Sequence, residues 1–167
     1  MALIKDRRLV EDDPWVGVAD DAPLPEDRPA IVGLKRWRAE RESVAALNRP
    51  LGLLLEPDDP LDDAIRDLGR FDLIALSFPK FGDGRAFSKA RLLRSRLGYK
   101  GELRAVGDVF KDQLMFMARC GFDSFDLKAG HDAKDALAAF DEFSVVYQPS
   151  AVAAGTVLRG RGKPPIA

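Results

Sequence analysis

The sequence has one cysteine, Cys120, and one histidine, His131. A single thiol excludes an internal disulfide, a cysteine-only iron–sulfur cluster and a structural zinc site built from cysteine and histidine. A single imidazole excludes a histidine-rich metal centre. Charge of one sign is also missing: 26 basic residues against 27 acidic ones leave a net charge of −1, so no global field draws the chain to nucleic acid or anionic lipid. No stretch approaches the roughly 18 apolar residues of a membrane span. The opening Met1-Ala-Leu-Ile-Lys-Asp-Arg-Arg lacks the apolar core of a secretory signal and is followed by Glu11, Asp12 and Asp13. These features lead to the expectation of a cytoplasmic protein. With 167 residues the chain is too short for a complete eight-unit β/α barrel of about 250 residues. It is long enough to bury about 68–70% of its unfolded surface without disulfides or metals.

What is present is a regular alternation. Ala2-Leu-Ile and Leu9-Val flank the polar Lys5-Asp6-Arg7-Arg8 stretch and predict an N-terminal hairpin, and Trp15-Val-Gly-Val predicts a third strand of a meander. Pro23, Pro25 and Pro29 among acidic residues predict a linker over 20–29. Leu34, Trp37, Val44 and Leu47 sit at helical spacing and predict a helix over 34–47. From residue 50, predicted strands at 51–55, 72–78, 102–106 and 124–127 alternate with predicted helices at 60–69, 85–97 and 109–119, the last closed by Gly121. Asp132 then caps a further helix, and Phe143-Ser-Val-Val-Tyr predicts another strand.

Strands alternating with helices imply an α/β fold: a mostly parallel sheet of four to five strands with helices on both faces, open and Rossmann-like or partial-barrel-like, plus an N-terminal β-hairpin. The chain divides into a hairpin and linker at 1–29, an α/β domain at 30–148 and a flexible tail at 149–167, basic at Arg159, Arg161 and Lys163.

Ligands of parallel α/β sheets bind beyond the carboxyl ends of the strands, where loops and helix N-termini converge. Here those ends read Glu56-Pro-Asp-Asp, Ser77-Phe-Pro-Lys-Phe-Gly-Asp-Gly-Arg, Gly107-Asp-Val and Asp126-Leu-Lys128. The second is the most unusual. Gly82 and Gly84 bracket Asp83, and Lys80 and Arg85 flank it just before a helix. The expectation is that Lys80 and Arg85 face a common concavity for sulfate, phosphate or a partner's carboxylate, with Asp83 turned away to cap the helix; Gly84 and Asp108 complete the candidate anion- or substrate-binding set. The alternative is a glycine-rich turn entering a helix. The segment matches neither the Walker nor the dinucleotide glycine pattern, and no cofactor is evident.

Other chemistry is thin. Glu56, Asp58, Asp83 and Asp108 end strands but lack a metal-ligand spacing, so capping and turn roles are expected, with Asp108 capping a helix that starts near Val109. Cys120, at a helix C-terminus, reads as a core thiol, His131 as an exposed turn residue, and Met115, Phe116 and Met117 as core filling. From Lys80 to Lys100 there are seven cations and one acid, and from Glu56 to Asp67 six acids and one arginine. Either the two segments neutralise each other or the basic one faces an acidic partner.

Several blocks taken in order carry a resemblance. They are Leu3-Ile-Lys-Asp, Ile31-Val-x-Leu-x-x-Trp37, Phe78-Pro-Lys-Phe-x-Asp-Gly-Arg85, Ser88-x-Ala-Arg-Leu-Leu-Arg94, Gly101-Glu-Leu-Arg-Ala-Val-Gly-Asp-Val109, Asp112-Gln-Leu114 and Arg119-Cys-Gly-Phe-Asp123. Over about residues 1–147 the chain resembles a bacterial family of unknown function encoded beside sulfite reductase genes, whose members are labelled oxidoreductases of sulfite reduction. The resemblance implies assimilatory sulfur metabolism; it brings no catalytic residues. The expectation is an accessory protein that binds sulfite reductase, another pathway enzyme or a small anion, without nucleic acid or membrane. The alternative is an enzyme acting on a small anionic substrate at the strand ends, and a self-associating module is a third reading.

Overall fold

The structure, a computed structural model, describes residues 2–140 and 150–151. The strand predicted at 143–147 and the tail predicted beyond residue 151 lie outside the described residues. Eight strands form one sheet: β1 (Ala2–Lys5), β2 (Arg8–Val10), β3 (Val16–Val18), β4 (Ala30–Gly33), β5 (Leu51–Leu55), β6 (Leu73–Phe78), β7 (Glu102–Gly107) and β8 (Ser124–Leu127). Their order is β2-β1-β8-β7-β6-β5-β4-β3. The strands β3 to β8 run parallel in chain order, and β1 pairs antiparallel with both β2 and β8.

The hairpin forms where the sequence places it, with Asp6 and Arg7 in left-handed turn conformations. Its strands extend the same sheet. The segment expected to continue the meander does something else: β3 pairs in parallel with β4 at the opposite edge. More strands are therefore present than the four to five expected. The short edge pairs carry weak alternation, which is why the sequence understates them.

This path fixes the shape of the sheet. Leaving β2 at Val10 and entering β3 at Val16, the chain advances six residues, at most about 22 Å. Seven inter-strand gaps laid flat would span about 33 Å. The sheet must therefore curl so that its edges approach, as in a partial barrel.

The helices are α1 (Leu34–Ala39), α2 (Arg41–Ala45), α3 (Asp62–Ile65), α4 (Arg85–Ser95), α5 (Leu114–Cys120) and α6 (Ala133–Ala138), with 3-10 turns at Leu68–Arg70 and Lys111–Gln113. Every parallel step in the sheet moves in one direction, and right-handed crossovers then place all connecting helices on one face. The core agrees. Ile4, Val32, Leu53, Leu76, Leu103 and Phe125 from alternate strand positions join Trp37, Ala64, Ala90, Met117 and Phe140 from the helical layer in one cluster. Helices thus cover the outer, convex face, which corrects the expectation of helices on both.

The predicted helix over 34–47 breaks at Glu40, whose φ of −119° and ψ of 26° are not helical. The Glu40 carboxylate instead accepts from Arg36, which also donates to the carbonyls of Ala19 and Ala22. Gly121 closes α5 in a left-handed conformation, with φ of 113°, as its position predicts. No helix among the described residues is long and apolar enough to cross a membrane.

Candidate functional site

The carboxyl ends of β5, β6, β7 and β8 gather the loops singled out in the sequence. The turn after β6 delivers Asp83 to the start of α4, where its carboxylate accepts the Arg85 backbone N–H at 3.2 Å, a capping contact. The same carboxylate takes the Arg85 guanidinium at 2.7 and 2.9 Å, and Asp58, from the loop after β5, takes another Arg85 nitrogen. Bonding to Arg85 pulls the Asp83 carboxyl down to about 2 and drives the guanidinium further up. Asp83 therefore does not turn away from the cations, and Arg85 is engaged by two carboxylates instead of facing an open concavity. The sequence could not show this, because Asp58 lies 27 residues away.

Lys80 is exposed and pairs with no described residue. Gly84 is the residue before α4, with no side chain to cap it. Asp108 caps no helix near Val109. It accepts from Lys128 at 2.7 Å, because the chain after β7 stays extended through Phe110 and turns helical only at Lys111. Gly107 makes this possible: its φ is 98°, and a Cβ there would lie 2.5 Å from the Phe78 carbonyl, to which Asp108 N donates at 2.7 Å.

The acidic and basic segments do meet. Arg85 reaches Asp58, and Lys89 donates at 2.6 Å to the Glu56 and Asp59 carbonyls. Arg94 points inward, serving the Gly121, Tyr99 and Gly101 carbonyls and Asp123. Arg91, Arg96 and Lys100 remain exposed and unpaired among the described residues.

A second set of charged residues lies on the concave face, where sequence reasoning assigned nothing. In β7, Leu103 and Ala105 face the helices, so Glu102 and Arg104 face inward; in β8 the same alternation turns Ser124 and Asp126 inward. Lys5 of β1 donates to Glu102 at 2.6 Å. Glu102 also accepts from Arg104 at 2.9 Å, and Arg104 makes a bidentate contact with Asp13 at 2.6 and 3.1 Å. Arg104 and Glu102 side chains are only 5% and 6% exposed.

Burial pushes Glu102 towards its neutral form, but the bonds from Lys5 and Arg104 outweigh it and hold the carboxyl below its usual range. Burial disfavours the charged Arg104 as well, and its bonds to Asp13 and Glu102 outweigh that. Asp126, half-buried one step nearer the mouth, makes no such bonds, and burial raises its proton affinity. The signal for this set was in the sequence. Glu102-Leu-Arg-Ala and Ser124-Phe-Asp-Leu alternate with period two, as strands with one polar face do.

The segment between β2 and β3 covers part of this face. Arg28 pins the Asp13 and Pro14 carbonyls, and a Cβ on Gly52 would lie 3.2 Å from the Trp15 ring. Among the described residues, no three His, Cys, Asp or Glu side chains gather as metal ligands. Cys120 is buried, and burial pushes its thiol up, as befits a core thiol. His131 is exposed and stands edge-on to Phe110 at 5.2 Å. Met117 is core, but Phe116 is 53% exposed, contrary to the expectation of core filling.

No curated protein matches this chain. The family model described as bacterial protein of unknown function (DUF934) matches residues 52–158, starting in β5 and taking in Glu102, Arg104 and the whole 78–85 loop. That span is more than half of the sequence, and the chain belongs to this family.

Proposed function

We propose that the protein is an accessory of assimilatory sulfate and sulfite reduction that works by binding, at the strand-end rim, sulfite reductase, another enzyme of the pathway or a small anion. The pathway comes from the sequence resemblance. The observation that supports binding is the fixed rim: Arg85 is held by Asp83 and Asp58, Lys89 is held on two carbonyls, and Lys80 is left exposed beside them. Such a surface is ordered before any partner arrives, which lowers the entropic cost of association.

The test is sedimentation of the purified chain with purified sulfite reductase, and calorimetric titration with sulfite and sulfate. A complex, or heat of anion binding lost in Lys80→Ala, supports the reading; neither complex nor heat overturns it.

A second reading, an enzyme acting on a small anionic substrate at the carboxyl ends of the strands, draws support from Asp126. A half-buried carboxyl with raised proton affinity near the mouth of a curled parallel sheet has the position and character of a general acid. Turnover of an anionic substrate that Asp126→Asn abolishes is the result that favours this reading over the first.

A further inference from the structure

Four large apolar side chains are conspicuously exposed: Leu9, Phe81, Leu92 and Phe116. Three of them belong to one surface, made by the loop after β6, α4 and α5. Its aromatic members are continuous. Phe116 meets Phe87 edge-on at 4.9 Å, and Phe87 meets the buried Phe78 at 5.0 Å. On the loop side, Phe81 meets Phe110 at 5.5 Å, and its carbonyl accepts from Gln113, one turn before Phe116. Phe81 and Phe116 are 52% and 53% exposed. Two half-exposed phenylalanines supported by buried rings are rigid anchors of the kind interfaces use.

The charges around them say what kind of partner fits. Lys80 adjoins Phe81, Arg91 shares the outward side of α4 with Leu92, and Arg96 and Lys100 continue the basic run. All four are exposed and unpaired among the described residues, whereas Arg38, Arg41, Arg85, Arg94, Arg104 and Lys128 each meet a carboxylate. Asp112 is the exposed acid beside this surface that has no partner. The chain's own tail does not suit it, since residues 152–167 carry Arg159, Arg161 and Lys163 and no acid.

We infer that the Phe81–Phe116 surface, with Lys80 and Arg91, docks an acidic segment of another protein that inserts apolar side chains between the two phenylalanines. This goes beyond the preceding functional reading and does not depend on the partner's pathway.

The experiment is photocrosslinking in cells with the full chain carrying benzoylphenylalanine in place of Phe116, and a control carrying it in place of the exposed Arg66 of the opposite segment. The expected result is an adduct from position 116, absent from position 66, whose crosslinked partner peptide is net acidic on mass spectrometry. The doubly reversed variant Lys80→Glu/Arg91→Glu, shown by melting to be folded, lowers the adduct about three- to tenfold, and Lys80→Arg/Arg91→Lys retains it. An adduct with residues 152–167, with a second copy of the chain or with a basic peptide overturns the inference. So does an adduct insensitive to charge reversal, or none above the control. An acidic partner outside sulfur metabolism upholds this inference while overturning the pathway assignment.

Discussion

Two sets of ion pairs sit on the same curled sheet and differ in what they join. At the rim, Arg85 is 52% exposed and Asp58 90% exposed, and their contact ties one surface loop to the start of α4. On the concave face, Lys5 and Glu102 stand 97 residues apart in sequence and Arg104 and Asp13 stand 91 apart. The inner contacts fasten the N-terminal hairpin and the segment crossing to β3 onto the middle of the sheet. Exposed pairs are solvated in either state, so forming them changes little; buried pairs leave an uncompensated charge when one member is lost. The inner set therefore holds the partial barrel closed, and the outer set orders a surface.

Removing Glu102 breaks the comparison hardest. Glu102→Ala strands both Lys5 and Arg104, and the expected loss is about 3–5 kcal/mol, read by urea unfolding at pH 7. The loss has a pH signature. The folded-state proton affinity of Glu102 lies below its unfolded value, so its contribution is present above the ordinary carboxylate range near pH 4.3 and fades as pH falls through the folded value. The gap between the native protein and the variant must narrow on acidification. Asp13→Asn comes next. It keeps the shape but removes the charge facing Arg104, for about 1.5–3 kcal/mol, with faster amide exchange between residues 11 and 18 as the local sign. A loss at Asp13 equal to that at an exposed pair would remove the distinction between the two sets.

The two sets were not equally legible in the sequence. The rim followed from a general rule, that loops at the carboxyl ends of parallel strands converge, and Lys80, Asp83, Gly84, Arg85 and Asp108 do lie there. Their pairings were not legible, because Asp58 and Lys128 reach them only through the fold. The inner set shows the reverse. Its spacing was visible as alternation in β7 and β8, but the expectation of a sheet buried by helices on both faces made polar inward positions look like ordinary strand residues. That expectation failed because β3 joins the far edge in parallel. Three residues, Val16, Gly17 and Val18, cannot declare their partner by periodicity.

Asp126 sharpens the comparison with the opposite sign. It shares the concave face but lacks the bonds that hold Glu102 ionised, so burial penalises its charge. A carboxyl whose proton affinity is raised on folding costs nothing when both states are protonated. The penalty grows as pH rises past the ordinary carboxylate range and through the folded value. Asp126→Asn should therefore raise the melting temperature at pH 7, and the gain should vanish near pH 3. A variant that melts lower at pH 7 would show that the ionised Asp126 has a stabilising partner.

The smallest effect belongs to the rim. Asp58→Asn removes one of the two carboxylates on Arg85, yet Asp83 still holds the guanidinium at 2.7 and 2.9 Å. Asp58 is 90% exposed, so its charge is hydrated in both folded and unfolded chains, and the pair it forms is screened by salt. The expected change is within about 0.5 kcal/mol, read by urea unfolding at 150 mM salt. What the substitution should alter is order, not stability: amide exchange in the 78–85 loop should rise while that of β7 stays the same, because Arg104 and Glu102 do not depend on Arg85. A loss at Asp58 as large as that at Glu102 would mean that the rim closes the sheet as well, and that the concave network is one of two fastenings.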